Sequence, residues 1–113
     1  MALKSRELAE KNLQQGDSIQ KTYEGKVDGN RGYLMMSKQK LLFYQEEGGF
    51  LKKSYNLKLD LPYVNIESVT PVGSYLLDIV ETNGKKHEYR TFDITTAHIQ
   101  ASFKELLPIP KAA

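Results

Sequence analysis

The sequence predicts a mainly β domain: about seven antiparallel strands curled into a barrel, capped by a C-terminal α-helix and preceded by an extra N-terminal helix. Three observations predict it. Apolar residues alternate with polar ones through most of residues 18–92, the period-2 signature of half-buried strands. Glycine, proline, asparagine and acidic residues cut that region into short segments. Helical spacing occurs only at the two ends of the chain.

The first segment, SRELAEKNLQQ over residues 5–15, reads as a helix. Ser5 suits the N-cap, and Glu7 suits the positive end of the helix dipole. Leu8, Ala9 and Leu13 form a narrow apolar stripe, and Gly16 is a left-handed terminator. From Ser18 the period changes. Ile19, Tyr23 and Val27 mark the apolar side of a first strand, interrupted by Lys21 and Gly25. Asp28-Gly29-Asn30 is a turn, followed by strands at 32–37 and 40–46. The turn at Glu46-Glu47-Gly48-Gly49 leads to a fourth strand over 51–59, with Tyr55, Leu57 and Leu59 on one face.

Pro62 interrupts the pattern, and a short fifth strand over 65–70 stops at Pro71. Residues 75–82 and 86–92 form the last two strands. Between them lies Asn83-Gly84, which predicts a type I′ hairpin turn because both central residues need positive φ. Thr95 or Thr96 can cap a final helix to residue 107. Ile99, Ser102, Phe103 and Leu106 share its inner face with Ala101, and Pro108 and Pro110 end it. The chain therefore divides into an N-terminal helix over 1–17, one domain over 18–108 and a tail over 109–113. A meander of this kind must curl to hide its edges.

Composition narrows the function classes. The chain has 113 residues, enough for a core without staples. It has no cysteine, which removes disulfides, thiolate metal sites and cysteine nucleophiles. No apolar run approaches the roughly 20 residues of a membrane helix, and MALKSRELAEKN lacks the apolar centre of a secretory leader. The expected location is cytoplasmic, with peripheral membrane attachment as the alternative. A net charge of +2 is too small to argue for nucleic acid. Stacking on bases would need outward aromatics along a basic groove. Tyr33 and Tyr44 can point out, whereas alternation places Tyr55 and Tyr89 on the apolar face.

The stretch Gly32-Tyr33-Leu34-Met35-Met36-Ser37, Lys38-Gln39-Lys40, Leu41-Leu42-Phe43-Tyr44 is similar to the G-x-L-x-L-T-x-x-R-L-x-F pattern of GRAM and bacterial PH-like domains. Ser37 stands for the usual Thr, and Lys40 for the usual Arg. Leu61-Pro62-Tyr63-Val64-Asn65-Ile66-Glu67-Ser68-Val69 resembles the same family's I-P-L-x-D-I-x-S-V segment, with Asn65 for Asp. The order of seven strands and one C-terminal helix resembles the pleckstrin-homology-like superfold over residues 18–107. These motifs describe a fold, so function has to be argued from a site.

The resemblance implies that three loops could surround an anionic headgroup. The basic residues placed there are Lys26 and Arg31, Lys52 and Lys53, and Lys85 and Lys86. The Lys/Arg-x-Arg pattern of strong phosphoinositide binders is missing, because Gly32 and Tyr33 follow Arg31. Glu46 and Glu47 would repel phosphate, and lysines in turns also serve solubility.

Catalysis has little support. His87 falls on the same side of its strand as Tyr89, with Asp78 and Glu81 as partners on the neighbouring strand, but no nucleophile accompanies it. His87, His98, Asp93 and Glu88 carry no metal-binding motif. No enzyme activity, metal or cofactor is expected.

The remaining class is binding of a protein partner or of a second copy. Tyr33, Met35 and Leu42 are left over on the outer face if Leu34, Met36, Leu41 and Phe43 fill the core. Either that face is bare and marks an interface, or the N-terminal helix covers it with Leu8 and Leu13. A covered face favours a monomer. The expected function is therefore non-catalytic binding of protein or self, with anionic membrane contact as the alternative and no nucleic acid.

Overall fold

A computed structural model describes residues 7, 9–11, 13–48, 53–92 and 94–106, apart from the side chains of Lys53 and Leu106. The strands are β1 (Ile19–Val27), β2 (Asn30–Ser37), β3 (Lys40–Gly48), β4 (Lys53–Pro62), β5 (Ile66–Pro71), β6 (Leu76–Glu81) and β7 (Lys86–Thr91). A 3-10 turn, Tyr63–Asn65, joins β4 to β5, and the C-terminal helix spans Thr96–Leu106. The strands form one antiparallel sheet in the order β4-β3-β2-β1-β7-β6-β5. β1 is the seam. It pairs with β2 from Ile19 to Val27 but with β7 only at Gly25, Lys26 and Val27. The roll is not closed by hydrogen bonds, because β4 and β5 are its two edges. Lys58, Pro62 and Pro71 blunt those edges.

The sheet buries both faces. Tyr23, Leu34, Met36, Leu41, Phe43, Leu77, Ile79 and Tyr89 fill the inner side, and Ile99 and Phe103 of the C-terminal helix close over it. Ala101, expected on that inner helix face, is exposed. Gly25 is required where the seam is tightest. A Cβ there would fall on the Arg90 carbonyl oxygen and lie 2.6 Å from the Tyr89 ring.

Two bulges correct the faces read from strict alternation. The β1–β2 register shifts between Ile19 and Lys21, so Ile19 turns to the outer side while Tyr23 faces in. The β3–β4 register shifts so that Phe43 faces Leu59 and Tyr44 faces Leu57. Lys58 is the extra residue. One inserted residue inverts every side chain beyond it, so Tyr55 and Leu57 lie opposite in face to Leu59. The type I′ turn also lies elsewhere than expected. Asp28 (φ 51°) and Gly29 (φ 88°) have the two positive φ values, whereas at Asn83-Gly84 only Gly84 does (φ 93°). There Gly84 N–H donates to the Glu81 carbonyl at 2.8 Å, a turn closed by one left-handed glycine.

The N-terminal helix ends earlier than expected. Residues 7 and 9–11 are helical, and the chain bends at Leu13. Gly16 has the left-handed φ of a terminator, 91°. Asp17 then fastens the segment to the sheet. Its carboxylate accepts from Ser18 N–H (2.7 Å), Ser37 Oγ (2.8 Å) and Lys38 N–H (2.8 Å). Ser37 is fully buried, and its hydroxyl also accepts from Lys40 N–H at 3.0 Å. The Ser37 carbonyl accepts from Tyr63 Oη at 2.7 Å, tying the β2–β3 turn to the end of β4.

Candidate functional site

The outer face of β2 and β3 is covered. Met35 and Leu42 are fully buried with Ala9, Ile19, Tyr44 and Tyr55, and Leu13 and Tyr33 pack against them half-buried. The residues expected to need a cover therefore have one within the chain, and Ala9 supplies its fully buried contact. Leu8 lies outside the described residues. The Tyr33 and Tyr55 rings are 6.1 Å apart, and burial raises the Tyr33 phenol above its ordinary pKa. Tyr44 and Tyr55 lie under this cover and Tyr89 lies in the inner core, so they form no base-stacking platform.

One end of the roll stays open. Its cavity of about 260 Å³ is lined by residues of the β1–β2 turn, β2, β3, β4 and the β6–β7 turn, on a floor of Val27, Phe43 and Leu59. Asp28, Asn30, Gln45, Lys58, Lys85 and His87 supply its polar wall. Lys58 reaches this wall because it is the bulge residue, which the alternating pattern could not reveal. His87 is 5% exposed, and both its ring nitrogens face carboxylates. Nε2 lies 2.7 Å from Glu81 Oε2, and Nδ1 lies 3.4 Å from Asp28 Oδ2. Glu81 is a partner that sequence pattern supplies, two residues past Ile79 in β6. Asp28, 59 residues away, is not.

The basic residues read from the sequence are not gathered at this cavity. Lys85 lines it. Lys26 lies opposite Arg31 on β2 and Arg90 on β7, in one row across three strands. Arg31 donates to Glu24 Oε2 from Nε at 3.1 Å, lies 3.9 Å from Glu46 and sits over the Phe92 ring. The hydrogen bond and charge of Glu24 raise the Arg31 pKa further. Lys86 pairs with Asp78 at 3.8 Å, and Lys58 with Glu47 at 3.7 Å. Lys52 and the Lys53 side chain lie outside the described residues. His98, on the exposed side of the C-terminal helix, meets the Tyr23 ring edge-on at 6.0 Å. Among the described residues no three His, Asp or Glu side chains converge as a metal site, and no helix is long and apolar enough to cross a membrane.

No protein-family model and no curated protein matches the sequence. Solved structures do match. The C-terminal domain of an unknown protein from Leishmania infantum superposes with a TM-score of 0.64 at 13% identity, over 93% of this chain and 94% of that one. The PH and C1 domain structure of the Vav1 exchange factor superposes with a TM-score of 0.55 at 16% identity, over 94% of this chain and 31% of that one. The fold is PH-like. The PH-like roll accounts for the single sheet bent at β1 and for the helix closing its inner side, and it leaves the end around His87 accessible. At these identities the likeness concerns the fold alone.

Proposed function

We propose that this chain is a non-catalytic PH-like binding domain whose partner is a protein rather than an anionic membrane. The observation that carries this reading is that three of the cations, Arg31, Lys86 and Lys58, are paired with the chain's own carboxylates. Arg31 is engaged by Glu24, Lys86 by Asp78 and Lys58 by Glu47. A phosphorylated headgroup needs several cations converging on it. Here Lys85 and Lys58 share the cavity wall with Asp28, and Glu81 stands behind His87. A wall of mixed charge with two carboxamides suits a polypeptide surface better than a polyanion. The covered outer face supports a domain that is monomeric until it meets its partner. The motifs at 32–44 and 61–69 favour kinship with GRAM and bacterial PH-like domains within this fold.

Co-sedimentation with phosphatidylserine vesicles containing a phosphoinositide, at low salt, tests the choice of partner class. The domain is expected in the supernatant. Pelleting that Lys85→Glu abolishes would overturn the reading. Light scattering over a hundredfold concentration range should give one species of 12.9 kDa.

A further inference from the structure

The arrangement around His87 has a chemical consequence. A carboxylate only accepts hydrogen bonds. A neutral imidazole carries one N–H and one lone pair, and only the doubly protonated ring donates from both nitrogens. His87 has a carboxylate at each nitrogen. With a single ring proton, one nitrogen donates and the other directs its lone pair at an acceptor. Glu81 has the shorter contact, 2.7 Å against 3.4 Å, and the less exposed side chain, 16% against 52% for Asp28. The single proton therefore stays on Nε2, which donates to Glu81, and the Asp28 contact depends on the second proton.

The surroundings allow Asp28 to respond. It occupies the β1–β2 turn at φ 51°, and its side chain borders water. Its Oδ1 accepts from Glu88 N–H at 2.9 Å, while its own N–H donates to the Glu88 carbonyl at 2.8 Å. The charged groups around the ring come from several neighbouring elements. Glu81 comes from β6, Asp28 from the β1–β2 turn, Lys85 from the β6–β7 turn and Lys58 from β4, with Glu47 of β3 beside Lys58. β2 contributes the uncharged Asn30.

We propose that His87 is a proton-operated clamp on the open end of the roll. The doubly protonated ring ties the β1–β2 turn to β6 along the cavity wall. Loss of the second proton frees Asp28 Oδ2, while Oδ1 keeps its bond from Glu88 N–H, and it loosens the side of the turn that faces the mouth. The open end then loses one positive charge, which leaves the Asp28 charge uncompensated, so its preference shifts toward basic partners. The clamp rests on the hydrogen-bonding chemistry of three side chains, whatever the domain binds.

An NMR titration of the ¹³C,¹⁵N-labelled protein between about pH 5 and 8, the range in which histidine changes charge, tests it. At the acid end both His87 ring nitrogens should carry protons. The Gly29 amide and the Asp28 carboxyl carbon should shift together with the His87 ring. Asp28→Asn retains the oxygen that accepts from Glu88 and tolerates positive φ, but removes the charge. In that variant the carboxamide Nδ2 faces Nδ1 and can donate only to the neutral ring, so the Gly29 amide should lose or reverse its native pH dependence while the domain remains folded. A His87 ring with one proton across the whole range would overturn the clamp. So would a Gly29 amide that is flat in the native protein or titrates unaltered in the variant.

Discussion

Replacing Gly25 by alanine should break the sheet at its narrowest point. β1 holds β7 at three paired positions, Gly25–Thr91, Lys26–Arg90 and Val27–Tyr89, and Gly25 begins that seam. The added methyl would land on the Arg90 carbonyl oxygen and within 2.6 Å of both the Cε1 and the hydroxyl of Tyr89. One obstacle is backbone, and the other is the largest fully buried side chain, so neither can yield cheaply. Overpacking costs about 1–3 kcal/mol, and two stiff neighbours place this site near 3. For a domain of this size that is a fall in Tm of roughly 12 °C, at about 4 °C per kcal/mol. Gly73→Ala is the matched control. Nothing lies within 4 Å of its added Cβ, so it should change stability by less than about 1 kcal/mol. Urea unfolding of both variants decides the matter, and the slope with urea should stay unchanged, because the same surface is exposed on unfolding. If Gly25→Ala unfolds at the same urea concentration as Gly73→Ala, the reasoning about the seam is wrong.

Two further predictions concern the outer face and the core. Asp17→Ala removes the acceptor for Ser18 N–H, Ser37 Oγ and Lys38 N–H. It should cost about 1–3 kcal/mol and raise the fluorescence of a hydrophobic dye as Met35 and Leu42 become accessible. Burial raises the phenol pKa of Tyr63 and Tyr89 well above the ordinary value. The unfolded chain releases these protons near pH 10 while the folded chain keeps them, so above that pH the unfolded state binds fewer protons and stability falls. Their contribution is complete below about pH 10 and is lost as pH rises further. Tyr63→Phe should cost about 1 kcal/mol at neutral pH, through the lost bond to the Ser37 carbonyl, and thermal melts should show a flatter alkaline decline for it than for the native protein.

Much of the fold was legible because one rule, alternation, operates along most strands. Leu34, Met36, Leu41 and Phe43 were assigned to the core and lie there, and the seven strands and the C-terminal helix fall within a few residues of their expected bounds. The failures share a cause. A bulge is decided by pairing with the neighbouring strand, so the inversions at Gln20 and Lys58 leave no trace in either strand alone. For that reason strict alternation places Tyr55 on the wrong face and does not single out Lys58. The Asp28–His87 contact joins a turn to a strand far along the chain, and periodicity carries no such information. Basic residues could be counted but not paired. Whether Arg31 meets a phosphate or Glu24 depends on a cross-strand diagonal that only the register reveals.

The most direct test of the account is a chemical-shift titration with inositol 1,4,5-trisphosphate, a soluble headgroup that separates cation convergence from membrane partitioning. No saturable shift is expected at Asn30, Gln45, Lys58 or Lys85, which line the open cavity. Saturable shifts at those residues, lost in Lys58→Glu with Lys85→Glu, would contradict it.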